Sequence, residues 1–292
     1  MNSKTISPQI IERTAPSPTG GLHLGHVYSA IKAYRNARKN LGLFKIRIED
    51  IDFTRCRLDF EQEIIANLSW LGIKWDGQIM RQRKRMMHYA SAIRHLMKNG
   101  LLYPCSCTRK DINNSVSAPH SEVKSNVVYP GTCRNTTPDK PIKALRLDIV
   151  KATQMISEQN LSFFERDGKD ENSLESQLIP FEKLISEFGD FIISRKDIGT
   201  SYNLAVVVDD AAQMVTHVTR GKDLRNVTPI QVLLQKLLNL PTPIYHHHAL
   251  LCENSGKKIS KRHSPKTVSS LMKQGRSAEE VINMAFSWHK KS

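Results

Sequence analysis

The sequence predicts an α/β chain: a doubly wound, parallel sheet carrying a small cysteine-bearing insertion and a short helical C-terminal region. Three observations carry this. A short strand feeds a Pro/Gly loop and then an amphipathic helix. A second strand, with alternating apolar positions, follows that helix directly. After a cysteine-containing stretch, strand-like segments return between helical ones.

Taken in order, "IIER" (10–13) reads as the first strand. The loop after it, "TAPSPTGGLHLGH" (14–26), is dense in proline and glycine, which suits a sharp turn and close backbone approach to a ligand. In "GHVYSAIKAYRNARKNLG", Val27, Ala30, Ile31, Tyr34 and Ala37 fall at helical spacing, and Gly42 is expected to end the helix. "FKIRIED" (44–50) alternates as a strand, and helical patterns follow over 59–71 and 81–98. Residues 99–143 form an insertion poor in core residues. Beyond it, "ALRLDIV", "DFIISR", "LAVVVDD" and "MVTHVTRG" read as strands. Residues 223–238 read as a helix, and two short helical patterns, 267–273 and 278–290, close the chain. The expected division is therefore 1–98, first half of the sheet domain; 99–143, insertion; 144–250, second half and connections; and 251–292, a basic loop and C-terminal helices.

The 292 residues are 39% apolar, enough for a core, and the longest unbroken apolar run, 204–208, is far too short to span a membrane. The N-terminus has no apolar leader, and five cysteines are too few and odd in number for a disulfide scaffold, so a cytoplasmic location is expected. A net charge of +15 implies an anionic partner, with nucleic acid the leading class. The densest basic block, "RQRKR" (81–85), equally suits a solvated helix face.

Two stretches carry chemistry. His23 and His26 stand three residues apart at a helix start, where unpaired N–H groups and the positive end of the helix dipole favour an anion. Far along the chain, "KKISKRH" places Lys258 and Lys261 three apart on a glycine-preceded loop, able to neutralise charge on a leaving pyrophosphate. Alone, each also fits a plain turn or a basic loop. Together, "HLGH" and "KISKR" resemble, in the same order, the HIGH and KMSKS signatures of class I aminoacyl-tRNA synthetases. "RTAPSPTGGLHLGH", "RIEDID" and "HVTRGKDL" resemble the glutamyl-tRNA synthetase group. "YPCSCTR", "YPGTCR", "GDFIISR" and "YNLAVVVDD" look most like its short paralogue family, the glutamyl-queuosine tRNA(Asp) synthetases. The resemblance covers residues 10–265.

The resemblance implies a Rossmann-type class I catalytic domain that activates L-glutamate with ATP. It further implies transfer of glutamate to the queuosine base at the anticodon wobble position of tRNA(Asp). By the same resemblance His23, Gly25, His26 and Lys261 line the ATP site, Lys258 joins the catalytic set, and Mg²⁺ accompanies ATP. The glutamate pocket maps onto Arg13, Thr14, Ala15, Pro16, Ser17, Glu49, Tyr202 and Arg220. Two guanidiniums for two carboxylates, and Glu49 for the ammonium, match that ligand in sign and number.

Cys105, Cys107 and Cys133 could hold a zinc ion with a fourth donor, or be three reduced thiols. The resemblance supplies Tyr129 as that donor; a phenolate ligand is unusual, so His120 is a chemically more ordinary rival, and the loop between Cys107 and Tyr129, longer than the family's usual one, leaves the fourth ligand open. One structural zinc is thus expected. Cys56 and Cys252 receive no role. "HHH" (246–248) is not read as a metal box, since neighbours on a strand face opposite ways; the resemblance makes it a strand before the KMSKS-like loop with a structural or substrate-lining role. Asp209 and Asp210 fit a strand-end cap at least as well as a Mg²⁺ pair, and the resemblance assigns them no role.

The expected partners are ATP, L-glutamate and queuosine-bearing tRNA(Asp), without a membrane, and the chain is expected to act as a monomer. The sequence stops soon after its KMSKS-like loop, leaving little room for the anticodon-reading region of a full glutamyl-tRNA synthetase. Two other functions remain open from the sequence: a truncated glutamyl-tRNA synthetase charging a 3′ end, and a non-catalytic RNA-binding paralogue.

Overall fold

The structure, a computed structural model, describes residues 9–108, 110–112, 128–158, 160–166, 173–251 and 267–289. Lys258, Lys261, His120 and Cys252 lie outside the described residues.

Strand β1 (Ile11–Thr14) runs parallel to β2 (Leu43–Ile48), with Ile11 beside Leu43 and Thr14 beside Ile46. Strand β3 (Met80–Arg81) adds in parallel on the far side of β2. The crossover is helix α1 (Leu24–Lys39), whose Val27, Ile31 and Ala37 are buried as their spacing predicts. Gly42 is not the residue that turns the helix end. Leu41 takes the left-handed conformation at φ +52°. Gly42 is required for another reason: a Cβ there would meet the Ile10 carbonyl oxygen at 2.2 Å. Helices α2 (Leu58–Trp70) and α3 (Met86–Lys98) follow. A single 3₁₀ turn (Gln82–Arg85) holds the basic block before α3, and its arginines are consumed locally: Arg81 pairs with Glu61 at 2.6 Å and Arg83 with Asp50 at 2.7 Å, while Arg85 pairs with Asp209.

Strands β4 (Leu102–Cys105), β5 (Ala144–Leu147) and β8 (Ile192–Arg195) make a separate antiparallel sheet. Helix α4 (Ile149–Gln154) follows β5. The hairpin of β6 (Asn160–Arg166) and β7 (Leu174–Pro180), followed by α5 (Phe181–Phe188), belongs to the second half of the main sheet. There β9 (His217–Gly221), β10 (Ile244–His248) and β6 run parallel, in the order β9-β10-β6-β7. Beside β9, the Thr216 backbone N–H donates to the Ile11 carbonyl at 3.0 Å, so the halves meet at β1 and β9. That meeting point is where strand order reverses, the usual ligand crevice of doubly wound sheets.

The segment "LAVVVDD" is not a strand. It lies in helix α6 (Tyr202–Ala212), capped by Ser201, whose hydroxyl accepts from the Leu204 N–H. Leu204, Ala205, Val206 and Val207 are all buried, so the helix shows no polar stripe, and three valines in a row imitate a buried strand. The helix expected over 223–238 begins as a 3₁₀ turn (Lys222–Val227) and becomes α7 (Thr228–Leu237). Helices α8 (Val268–Lys273) and α9 (Ala278–His289) fold back so that Val281 and Ala285 join the core of α1 and β2. Among the described residues no helix is long and apolar enough to cross a membrane.

Candidate active site

A cavity of about 700 Å³ opens at the C-terminal ends of β1, β2 and β9. Arg13, Thr14, Ala15, Pro16, Ser17, His23, Gly25, His26, Glu49, Tyr202 and Arg220 all line it. The structure therefore brings together every predicted glutamate-site residue, and every predicted nucleotide-site residue among those described. Cys56 also faces this cavity, and burial raises its thiol pKa, with Asp50 and Asp52 adding to the rise.

The two histidines build the helix start as well as facing the cavity. His23 is the N-cap of α1; its Nδ1 accepts from the Gly25 N–H at 3.1 Å, and His26 Nδ1 accepts from the His23 N–H at 3.2 Å. This is a capping box made from imidazoles. A backbone N–H can only donate, so both Nδ1 atoms are bare and the proton of each neutral ring sits on Nε2. The rings stack 3.7 Å apart. Gly25 leaves room for this, because a Cβ there would touch the His23 ring at 3.0 Å. The motif thus sets imidazole Nε2–H groups beside a helix N-terminus, a setting whose chemistry suits an anion.

The two predicted arginines prove unequal. Arg13 Nε donates to Asp210 Oδ1 at 3.1 Å, and the same oxygen also accepts from Arg47, which reaches Glu49 at 3.1 Å with its other nitrogen. Burial alone would raise the Asp210 pKa, but Arg47 and Arg13 hold it below the ordinary carboxylate range. Glu49 goes the other way: its burial outweighs Arg47 and Arg13, and its pKa is raised. Tyr202 is pushed up to about 12, by burial first and then by Glu49, so its hydroxyl keeps its proton. Arg220, only 4% exposed, donates to three acceptors: His247 Nε2 at 3.1 Å, Gln231 Oε1 at 2.8 Å and Thr228 Oγ1 at 2.9 Å. None is a carboxylate, and among the described residues Arg220 forms no ion pair. Among the described residues, the cluster of three guanidiniums (Arg13, Arg47, Arg220) and two carboxylates (Glu49, Asp210) carries one more cationic than anionic group.

Sequence reasoning missed Arg47, Thr228 and Gln231, named Asp210 without its arginine partners, and gave the strand of His247 only a general structural or substrate-lining role. Asp209 and Asp210 are neither a strand-end cap nor an exposed pair. They sit buried on α6, Asp209 receiving Arg85, Tyr89 and Gln82, and Asp210 receiving Arg13 and Arg47. The expected alternation of "HHH" holds, with His248 set edge-on to Tyr28 of α1 and His247 turned to Arg220.

The Sγ atoms of Cys105, Cys107 and Cys133 lie within 4.8 Å of one another and could hold a metal ion. The Tyr129 hydroxyl stands 3.5 Å from Cys105 Sγ and 3.6 Å from Cys107 Sγ. Arg146 donates to Cys105 Sγ at 3.3 Å and lies over the Tyr129 ring at 3.8 Å, a cation set against a donor set that is anionic when it binds metal.

Comparison with known proteins identifies the family and the fold. Residues 9–287 match the family model of tRNA synthetases class I (E and Q), catalytic domain. The glutamyl-Q tRNA(Asp) synthetase of Rhodobacter capsulatus is 42% identical over 93% of this chain and 98% of its own length. That of Geobacter sulfurreducens is 38% identical over 88% of this chain and 77% of its own. A glutamate-tRNA synthetase crystal structure from Elizabethkingia anophelis superposes with a TM-score of 0.75 at 23% identity; the match covers 95% of this chain and 61% of that one. The chain belongs to the class I tRNA synthetases of the E and Q type, and within them to the glutamyl-Q tRNA(Asp) synthetase family.

Proposed function

We infer that the protein activates L-glutamate with ATP and passes the glutamyl group to the queuosine base of tRNA(Asp). The observation that carries this is Arg220: a buried guanidinium at a cavity wall, gripped by three neutral acceptors and, among the described residues, lacking a counter-charge. A ligand carboxylate supplies that charge through the donors that His247, Gln231 and Thr228 leave over, one on each terminal nitrogen. Zwitterionic glutamate carries one net negative charge, which complements the excess cationic group of the Arg13, Arg47, Arg220, Glu49 and Asp210 cluster.

The reaction assigns the two carboxylates. The α-carboxylate attacks the α-phosphorus of ATP, the bond to the β-phosphate oxygen breaks, and pyrophosphate leaves. A carboxylate clamped bidentately is a poor nucleophile, so Arg220 takes the side-chain carboxylate while the α-carboxylate faces ATP. Glu49 receives the ammonium, with Arg13, Tyr202 and the 14–17 loop completing the pocket. His23 and His26 donate through Nε2 to ATP phosphate oxygens, beside Gly25. Lys258 and Lys261 neutralise the leaving pyrophosphate, and Mg²⁺ accompanies ATP. A hydroxyl of queuosine then attacks the acyl carbon, releasing AMP. Catalysis rests on positioning and charge stabilisation, without a side-chain nucleophile. Glutamine is rejected because its amide would leave Arg220 buried without a counter-charge.

Cys105, Cys107, Cys133 and Tyr129 hold one structural zinc, and the four-part division 1–98, 99–143, 144–250 and 251–292 describes the working parts. The protein acts as a cytoplasmic monomer. The test is glutamate-dependent exchange of pyrophosphate into ATP without tRNA, followed by nuclease mapping of labelled glutamate on tRNA(Asp). Arg220→Ala is expected to lower kcat/KM for glutamate at least about a hundredfold. Exchange near the wild-type level in that variant, or label at the 3′ end, overturns the reading.

A further inference from the structure

Behind the cavity wall, three neighbouring parallel strands carry one hydrogen-bonded line of side chains. On β10, His247 stands in register beside Arg220 of β9; on the other side, Glu165 of β6 stands beside Tyr245. His247 Nδ1 lies 2.8 Å from Glu165 Oε1, and its Nε2 lies 3.1 Å from Arg220 Nε. Arginine cannot accept, so His247 Nε2 must, and the proton of the neutral ring is on Nδ1, donated to Glu165. Glu165 is itself tied down by Arg225 at 3.0 Å. The imidazole stacks at 4° on Tyr245, whose ring also lies 5.0 Å under the Arg220 guanidinium. His247 is absent from the cavity lining, and its Nε2 also lies 3.2 Å from Thr228 Oγ1, which accepts from Arg220, so both contacts lead to the guanidinium.

We propose that His247 is a positioning residue for glutamate: locked as the Nδ1–H tautomer by Glu165, it offers Arg220 a neutral acceptor that fixes the guanidinium while leaving its charge for the substrate. A carboxylate in that place would hold Arg220 as well and would neutralise it, which is the state of Arg13 and Arg47 on Asp210. The imidazole is thus a spacer: it keeps the Glu165 charge one ring away from Arg220 and still passes on its orientation. Burial lowers the His247 pKa, consistent with a neutral ring.

This inference rests on Arg220 binding a glutamate carboxylate, and the experiment separates the two. Exchange kinetics of the full chain are measured with glutamate and with ATP as the varied substrate. His247→Gln, which keeps an acceptor near the Nε2 position, is expected to stay within about threefold of wild type in KM for glutamate. His247→Phe, of similar shape without an acceptor, raises that KM at least about tenfold, with KM for ATP unchanged. His247→Asn, which keeps the link to Glu165 but cannot reach Arg220, gives the same defect and serves where the Phe variant does not fold. His247→Glu raises the KM further by occupying Arg220. Wild-type KM in both the Phe and Asn variants, or a Gln variant as impaired as they are, overturns the proposal. A normal KM in Arg220→Ala overturns the pocket itself instead.

Discussion

Glu49 shows how much one side chain's surroundings matter in this pocket. Burial raises its pKa in the empty site, against the pull of Arg47 and Arg13, so the free protein holds that proton more tightly than an ordinary carboxylic acid of pKa about 4.3 does. A bound ammonium favours the ionised form. Binding glutamate would therefore lower that pKa, and affinity falls as pH drops through the free-state pKa. We expect kcat/KM for glutamate in the exchange reaction to decline on acidification from a pH above the ordinary carboxylate range. Glu49→Gln should be weaker at every pH and lack that limb; a matching limb in the variant would remove Glu49 from the role. None of this was legible from Glu49 alone. The sequence placed it in "RIEDID", but the groups that set its proton affinity come from β1, β2 and the distant helix α6.

At the scale of elements, the sequence was most readable where a local device marked a boundary. Helix α1 announces itself by spacing, and β2 by alternation. The helix end differs from expectation by one residue: the left-handed position is Leu41, 90% exposed, while Gly42 answers a close approach to Ile10. The two glycine arguments therefore separate in a denaturation experiment. Leu41→Gly should stabilise by about 1 kcal/mol, since a β-carbon in that conformation is strained. Gly42→Ala should destabilise by about 1–3 kcal/mol, because the Ile10 backbone would have to move. Equal effects of the two changes would refute the distinction. Helix α6 was illegible for the opposite reason: buried around its valines, it has no polar face to reveal a period. Glu165 left a usable trace. It occupies a core-facing position in alternating β6, where a carboxylate demands a partner.

At the scale of the whole molecule, the fold follows from connectivity that sequence reading captured: strand, crossover and parallel strand, then an insertion, then the second half of the sheet. What it could not give was the pairing between halves. Arg47 and Asp210 meet across 163 residues, and no local pattern forecasts that contact. The +15 charge belongs to this scale too. Three arginines of its densest basic block are held by carboxylates of the same chain, so RNA attraction must come from other basic residues. Because the two half-reactions use different partners, their salt responses should differ. Transfer to tRNA(Asp) should weaken steeply as potassium chloride rises from about 50 to about 200 mM, by about tenfold or more, while tRNA-free exchange changes little. Parallel salt curves for the two steps would argue against electrostatic capture of the RNA.

The imidazole cap of α1 has a practical consequence for anyone dissecting this reaction. Under the proposed function, alanine at His23 or His26 removes a phosphate donor and at the same time unties the first turn of the helix, which both side chains cap. Lost turnover in such a variant therefore has two causes that a rate alone does not separate. Replacement by asparagine, whose side-chain oxygen can still receive the amide, would keep the turn wound and let chemistry be told apart from fraying.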